Sequence, residues 1–245
     1  MIVSKQNERI KEIRSLSDKK FRDKLNLYLV EGIKPVNEAI ALGLPVREVI
    51  CTQKAQSHLL LEGINSQLVS DEVFKSVSEE VCPQGALAVL FKPENKLKVS
   101  KGKCLLLDGV SDPSNVGAII RTAAASGYNQ IFMTENCADP YSGKAVRSSM
   151  SGIFRVEVIR GDIEKVLECI NLPLVVADMN GQNVFEKKIE GDFCLVIGNE
   201  GKGVSETVRK KATYTVSIPM QNGMESLNAG VSAGILMYAL NGTAR

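Results

Sequence analysis

The sequence is poor in the groups that most enzymes use for acid–base and metal chemistry. Among its 245 residues there is one histidine, His58, and no tryptophan. A Ser-His-Asp arrangement needs an imidazole hydrogen-bonded to its nucleophile, and nothing in the sequence brings His58 to such a partner. The six cysteines, Cys51, Cys82, Cys104, Cys137, Cys169 and Cys194, are scattered and never stand at C-x-x-C spacing. Zinc sites draw on clustered Cys and His ligands, so no metal is expected. Several of these cysteines sit in apolar runs, where a buried thiol packs as a small hydrophobe. No apolar run approaches the roughly 20 residues that span a bilayer. The stretch from Met1 to Glu8 also lacks the apolar core of a signal peptide. No membrane association is expected, and the expected location is cytoplasmic. A net charge of +2 carries no bulk nucleic-acid signature.

What is present is unevenly distributed. Lys5, Arg9, Lys11, Arg14, Lys19, Lys20, Arg22 and Lys24 crowd the first two dozen residues, against Glu8, Glu12, Asp18 and Asp23. Such an excess can meet phosphates, although charge alone fits a solvated helical face equally well. The segment Lys92–Lys103 is polar and lysine-rich between two apolar runs, which is linker composition. It divides the chain into expected domains of residues 1–95 and 96–245. In the first, strands over Leu27–Val30 and Val46–Cys51 alternate with helices over Pro35–Leu42, Ala55–Leu61 and Asp71–Val77, the pattern of a small α/β domain. In the second, strands are expected at Cys104–Leu107, Gln130–Met133, Phe154–Val158, Leu174–Ala177, Phe193–Ile197 and Tyr214–Ile218. Helices fall between them, at Val116–Ala125, Gly143–Met150, Ile163–Ile170 and Ser205–Lys211, with a last one over Leu227–Leu240. The strand runs are nearly continuous in Val, Ile and Leu, so a parallel sheet covered on both faces is expected.

Three strand-loop-helix segments carry polar residues beyond what a turn requires. The first is Asp112-Pro113-Ser114-Asn115-Val116-Gly117, with Arg121 following on the same helix; Asn115 reads as its N-cap. The second is Gly198-Asn199-Glu200-Gly201-Lys202-Gly203. It is not a Walker loop, because Lys202 is followed by Gly203 and Val204. It also follows a late strand, which is out of place for a dinucleotide fingerprint. The third runs Ile218-Pro219-Met220 to Glu225-Ser226-Leu227-Asn228 and opens the last helix. That helix carries a narrow face of Ala229, Gly230, Ala233 and Gly234. Glycine inside a helix costs about 1 kcal/mol relative to alanine, so something is expected to approach this face closely: a threaded loop, a ligand or a second subunit.

Together the three segments resemble the three motifs of the SpoU/TrmH family of RNA ribose methyltransferases, of the SPOUT class, in the family's order and over the last 140 or so residues. The first 90 or so resemble the ribosomal-protein-like extension common in the family. The resemblance implies an α/β chain: a small N-terminal RNA-binding domain, then a C-terminal parallel-sheet domain with a C-terminal trefoil knot. It implies methyl transfer from S-adenosylmethionine to a ribose 2′-hydroxyl, which RNA has and DNA lacks. Ribosomal RNA is the first choice of substrate and tRNA the second. A catalytically silent RNA-binding relative and a nucleotide-dependent oxidoreductase are the readings from other classes. Asn115, Arg121, Glu200, Ser226 and Asn228 are the implied catalytic residues, and Gly198, Ile218 and Leu227 the implied cofactor contacts. The family's arginine is often assigned proton abstraction. A guanidinium holds its proton too strongly for that to be easy, and Arg121 is better suited to orient a phosphate and stabilise a developing alkoxide. The resemblance further implies a homodimer in which Arg121 serves the partner's cofactor.

Overall fold

Short, well-capped helices and apolar strands account for the architecture of both halves of the chain. The computed structural model describes residues 1–100 and 102–241. Lys101 of the expected linker and residues 242–245 of the expected C-terminal domain lie outside the described residues. The chain divides into two compact units. One comprises Met1–Glu94 together with Tyr141–Ser151, and the other comprises Asn95–Pro140 and Gly152–Arg245. A segment from the middle of the expected C-terminal domain therefore packs with the N-terminal unit.

The N-terminal part runs α1 (Glu8–Ser15), α2 (Lys19–Leu25), β1 (Leu27–Glu31), α3 (Ile33–Ala41), β2 (Val46–Cys51), α4 (Gln53–Gln56), β3 (Ser66–Leu68), α5 (Asp71–Lys75) and β4 (Ala86–Phe91). Its sheet has the order β1-β4-β2-β3, with β4 antiparallel to both neighbours. Ile10, Ile13 and Leu16 pack with Val73, Phe74, Leu87 and Val89 to form the core. The helix expected over Ala55–Leu61 is the single turn α4, started earlier by the Thr52 cap. Strand β3, Ser-Gln-Leu, has too little apolar pattern to announce itself; pairing with β2 makes it.

The basic run proves largely committed to the protein itself. Arg22 is buried, and its guanidinium donates to the carbonyls of Leu16 and Ser17 at 2.7 Å. Arg9 pairs with the buried Glu48, and Arg14 donates to Ser76. Lys11 pairs with Glu8 and Lys19 with Asp23. Among the described residues, the side chains of Lys5, Lys20 and Lys24 have no hydrogen-bond or ion-pair partner.

The second part runs β5 (Cys104–Asp108), α6 (Pro113–Ser126), β6 (Gln130–Thr134), α7 (Gly143–Ser149), a 3-10 turn (Gly152–Phe154), β7 (Glu157–Gly161), α8 (Ile163–Cys169), β8 (Leu174–Asn183), β9 (Cys194–Gly198), α9 (Glu206–Arg209), β10 (Tyr214–Ser217) and α10 (Ala229–Leu240). All but α7 belong to the second unit. Its six strands are ordered β10-β8-β9-β5-β6-β7 and every pairing is parallel. Every residue of β5 and β6 is buried, as continuous apolar strands covered on both faces should be. The strand expected at Phe154–Val158 begins later. Phe154 closes the 3-10 turn, and pairing of Gln130 with Glu157 fixes where β7 starts.

Two helix starts also differ from expectation. Helix α6 is capped by Asp112, whose carboxylate accepts from the N–H of Ser114 at 2.6 Å, with Pro113 in the first turn. Asn115 thus lies inside the helix. Proline at the first position sacrifices no bond and presets φ, which is why the cap precedes it. Helix α10 begins at Ala229 with Asn228 as cap, so Leu227 is not helical. Its small-residue face meets α6 of the same chain. A Cβ on Gly230 would come 3.2 Å from Ala118 Cβ, and one on Gly234 would lie 3.7 Å from Thr122 Cγ2.

Candidate active site

Strands β5 and β9 are parallel neighbours, with Asp108 opposite Gly198. Their C-terminal ends therefore deliver two loops to one edge of the sheet, the place where open α/β sheets bind ligands. The loops are tied to each other. Asn199 donates its side-chain N–H to the carbonyl of Gly109 at 2.8 Å, and the Ser205 N–H donates to Asp108 Oδ2 at 2.7 Å. Asn199 also organises its own loop, because its Oδ1 accepts from the N–H of Gly201 and of Lys202 at 3.0 Å. Gly198 is required by the same loop: a Cβ there would fall 2.5 Å from Val204 N, a separation that no side chain tolerates.

Glu200 projects from this loop and is the end point of a directed series of hydrogen bonds. Asn228 donates through Nδ2 to Asn115 Oδ1 at 2.8 Å, and Asn115 donates through Nδ2 to Glu200 Oε1 at 2.8 Å. Ser111 donates to Glu200 Oε2 from its N–H at 3.4 Å and its hydroxyl at 3.3 Å. Asn228 Oδ1 meanwhile accepts from Gly230 N–H at 2.9 Å and Val231 N–H at 3.2 Å. An ionised carboxylate only accepts, so Glu200 fixes which way both amides point. Burial pushes the Glu200 carboxyl up; the hydrogen bonds from Asn115, its own backbone and Ser111 outweigh that and hold it below its ordinary value. Asn115 itself is only 9% exposed, which leaves its amide committed to this series.

Three of the five expected catalytic residues, Asn115, Glu200 and Asn228, are therefore hydrogen-bonded together. The other two are not part of the series. Arg121 is exposed on α6, and no hydrogen bond or ion pair holds its guanidinium among the described residues. Ser226 is exposed in the loop before α10. Of the expected cofactor contacts, Gly198 ends β9, Ile218 follows β10 half-buried, and Leu227 is exposed next to the Asn228 cap. Ser111 and Asn199 join the site although sequence reasoning assigned them no role. Asn199 lies within the glycine-rich motif, but a side chain that ties two loops is visible only once β5 and β9 are neighbours.

The 218–228 segment joins β10 to α10. Met220, Met224 and Leu227 are exposed apolar side chains in it. Within residues 219–227, Met224 N–H to Gln221 C=O at 3.2 Å is the one backbone–backbone bond among the described residues. The other main-chain donors and acceptors of residues 219–227 have no backbone partner among the described residues.

Comparison with known proteins agrees in both halves. Residues 102–238 match the model of the SpoU rRNA Methylase family, and residues 7–88 match the MRM3-like substrate binding domain. The chain is similar to the Bacillus subtilis 23S rRNA (guanosine(2553)-2'-O)-methyltransferase RlmP, with 34% identity covering 98% of this chain and 99% of that protein. Among solved structures it is similar to the SpoU methyltransferase AviRb from Streptomyces viridochromogenes in complex with AdoMet. That match has a TM-score of 0.86 and 28% identity, over 96% of this chain and 97% of that one. A putative RNA methyltransferase of the TrmH family from Porphyromonas gingivalis superimposes with a TM-score of 0.84 at 29% identity, over 96% and 97% of the two chains. The family model and the relatives agree, and the chain belongs to the SpoU rRNA methylase family.

Proposed function

We propose that the protein is an S-adenosylmethionine-dependent RNA methyltransferase acting on a ribose 2′-hydroxyl of ribosomal RNA, with tRNA as the second substrate to be tested. The observation that carries this reading is the Asn228–Asn115–Glu200 series, which joins one residue from each of the three motifs at one sheet edge. The cofactor supplies a methyl group made electrophilic by its sulfonium. The task left to the protein is to orient the hydroxyl and to handle its proton.

Arg121 is free to hold the phosphate next to the target ribose and to stabilise the alkoxide as it develops. Glu200 is a weak base, since its carboxyl is held below the ordinary range and both oxygens already accept hydrogen bonds. The proton therefore leaves to solvent, and Glu200 serves to lock Asn115 and Asn228 in place. Ser226 is a short-range donor at the loop that precedes α10. Gly198, Ile218 and Leu227 offer main-chain contacts to the cofactor. The first unit, through residues 1–95, supplies RNA affinity, and residues 96–245 supply the transfer chemistry. A homodimer in which Arg121 works beside the partner's cofactor, a trefoil knot threaded by the 218–228 segment, a metal-free reaction and a cytoplasmic location complete the reading. The Gly230 and Gly234 face of α10 packs on α6 of the same chain. That packing assigns the small-residue face to this contact within the chain, leaving the exposed Val231 and Tyr238 to meet a second copy.

The deciding experiment maps ribose methylation by mass in ribosomal RNA and tRNA from cells with and without the gene. It is paired with transfer from labelled S-adenosylmethionine to each unmodified RNA in vitro. A single 2′-O-methyl site in ribosomal RNA that disappears with the gene and is restored by the protein is expected. Methylation of a base, or of no RNA at all, overturns the reading.

A further inference from the structure

Arg121 has no side-chain partner among the described residues, so its placement rests on its backbone, and the turn that begins at Gly152 packs directly on that backbone. A Cβ on Gly152 would come 2.9 Å from Arg121 Cα, 3.2 Å from Arg121 N and 3.2 Å from the Ile120 carbonyl. The atoms it would meet are main chain and cannot swing aside. Gly152 begins the 3-10 turn Gly152–Phe154 and follows α7 by three residues.

We propose that Gly152 is a positioning residue for Arg121: without a Cβ, it lets the 3-10 turn pack against the main chain of α6. This rests on the reading of Arg121 as the group that stabilises the transition state.

The test is a double-mutant cycle on the full-length protein with unmodified ribosomal RNA, reading kcat, the KM for RNA and cofactor affinity by titration. Gly152→Ala must push the main chain of α6 aside by several tenths of an ångström. A misplacement of about 1 Å at a catalytic group costs on the order of 100-fold. We expect a loss in kcat of roughly tenfold or more, with the KM for RNA and the cofactor affinity within about twofold of the original. In an Arg121→Ala background the same substitution should cost less than about twofold, because the residue it displaces is already gone. Ile153→Ala is the second variant. It keeps glycine at 152 and removes a buried side chain from the 3-10 turn that packs on α6. Its expected kcat loss is several-fold and again vanishes without Arg121. An undiminished kcat in either folded variant, or a loss of equal size with and without Arg121, overturns the inference. Should Gly152→Ala fail to fold, Ile153→Ala decides alone. Near-normal turnover by Arg121→Ala itself would instead overturn the reading of Arg121.

Discussion

Asn228 donates its side-chain amide to Asn115 Oδ1 at 2.8 Å, joining the cap of the last helix to the first turn of α6. The two residues come from the third and first motifs, and Glu200 of the second motif accepts from Asn115 in turn. Removing Asn228 therefore removes a helix cap and the first donor of the series together. Asn228→Ala should lower stability by about 1 kcal/mol, the usual cost of losing an N-cap. Combined with Asn115→Ala in a cycle, denaturant unfolding should show a coupling of roughly 0.5–3 kcal/mol, the range for residues in one network. Simple additivity would mean that the hydrogen bond has no energetic weight.

Arg121→Ala should leave cofactor affinity nearly intact and cut methyl transfer by about 100-fold or more, the scale for losing one preorganised charge-stabilising donor. Single-turnover transfer alongside a cofactor titration measures both. Turnover close to that of the original protein would remove Arg121 from the chemistry.

Glu200 gives a pH signature with a definite sign. Its carboxyl lies below the ordinary value in the folded protein, so the stability it contributes is fully present above the unfolded-state pKa. That stability is lost as pH falls through the lowered folded-state value. The stability difference between the original protein and Glu200→Gln should thus be constant near neutrality and shrink on acidification below about pH 4.3. A difference that grows on acidification would contradict the hydrogen-bonding assigned to Glu200.

Lys5, Lys20 and Lys24 are the members of the basic run whose side chains have no hydrogen-bond or ion-pair partner among the described residues, and so the ones most available to phosphates. Replacing all three by alanine should weaken RNA binding similarly across sequences. It should also flatten the dependence of log K on log salt by roughly 0.7–0.9 for each phosphate that is no longer neutralised. The same replacement should leave cofactor affinity alone. An unchanged salt slope would place the RNA on another face.

Cutting the chain at the sequence-defined boundary has a structural cost. Removing residues 1–95 would strip Tyr141 of its packing on Tyr28, and Arg147 of Glu79. The remaining protein should bind S-adenosylmethionine yet show hydrogen exchange through 141–151 faster than in the full chain. Equal protection of that segment in both proteins would show that it holds its shape without the first unit.

The sheet of the second unit was legible because its strands are buried on both faces, and continuous runs such as Leu105-Leu106-Leu107 leave no other reading. Glu200 stood out because it is a carboxylate in a loop where a turn needs only glycine, and Asn115 and Asn228 were picked out by the resemblance of their segments to the family's motifs. What stayed hidden depends on partners far away in sequence. The start of β7 follows from pairing with β6. The close approach announced by Gly230 and Gly234 was readable, but its object, α6, was not. The cap of α6 was misplaced on Asn115 because two good capping residues, Asp112 and Asn115, flank Pro113, and the proline decides between them. Nothing in Tyr141–Ser151 marks it as belonging with Tyr28; only the folded chain brings them together.

That last segment also bears on how the protein is made. The first unit includes Tyr141–Ser151, so its packing is incomplete when residue 94 is synthesised. It must wait for residues that emerge after β5, α6 and β6. At about 5–20 residues per second, the wait is roughly 3–11 s on the ribosome, during which Tyr28 and its neighbours have no cover. The two units therefore cannot mature one after the other as separate beads, and the nascent chain must hold the first open while the second begins.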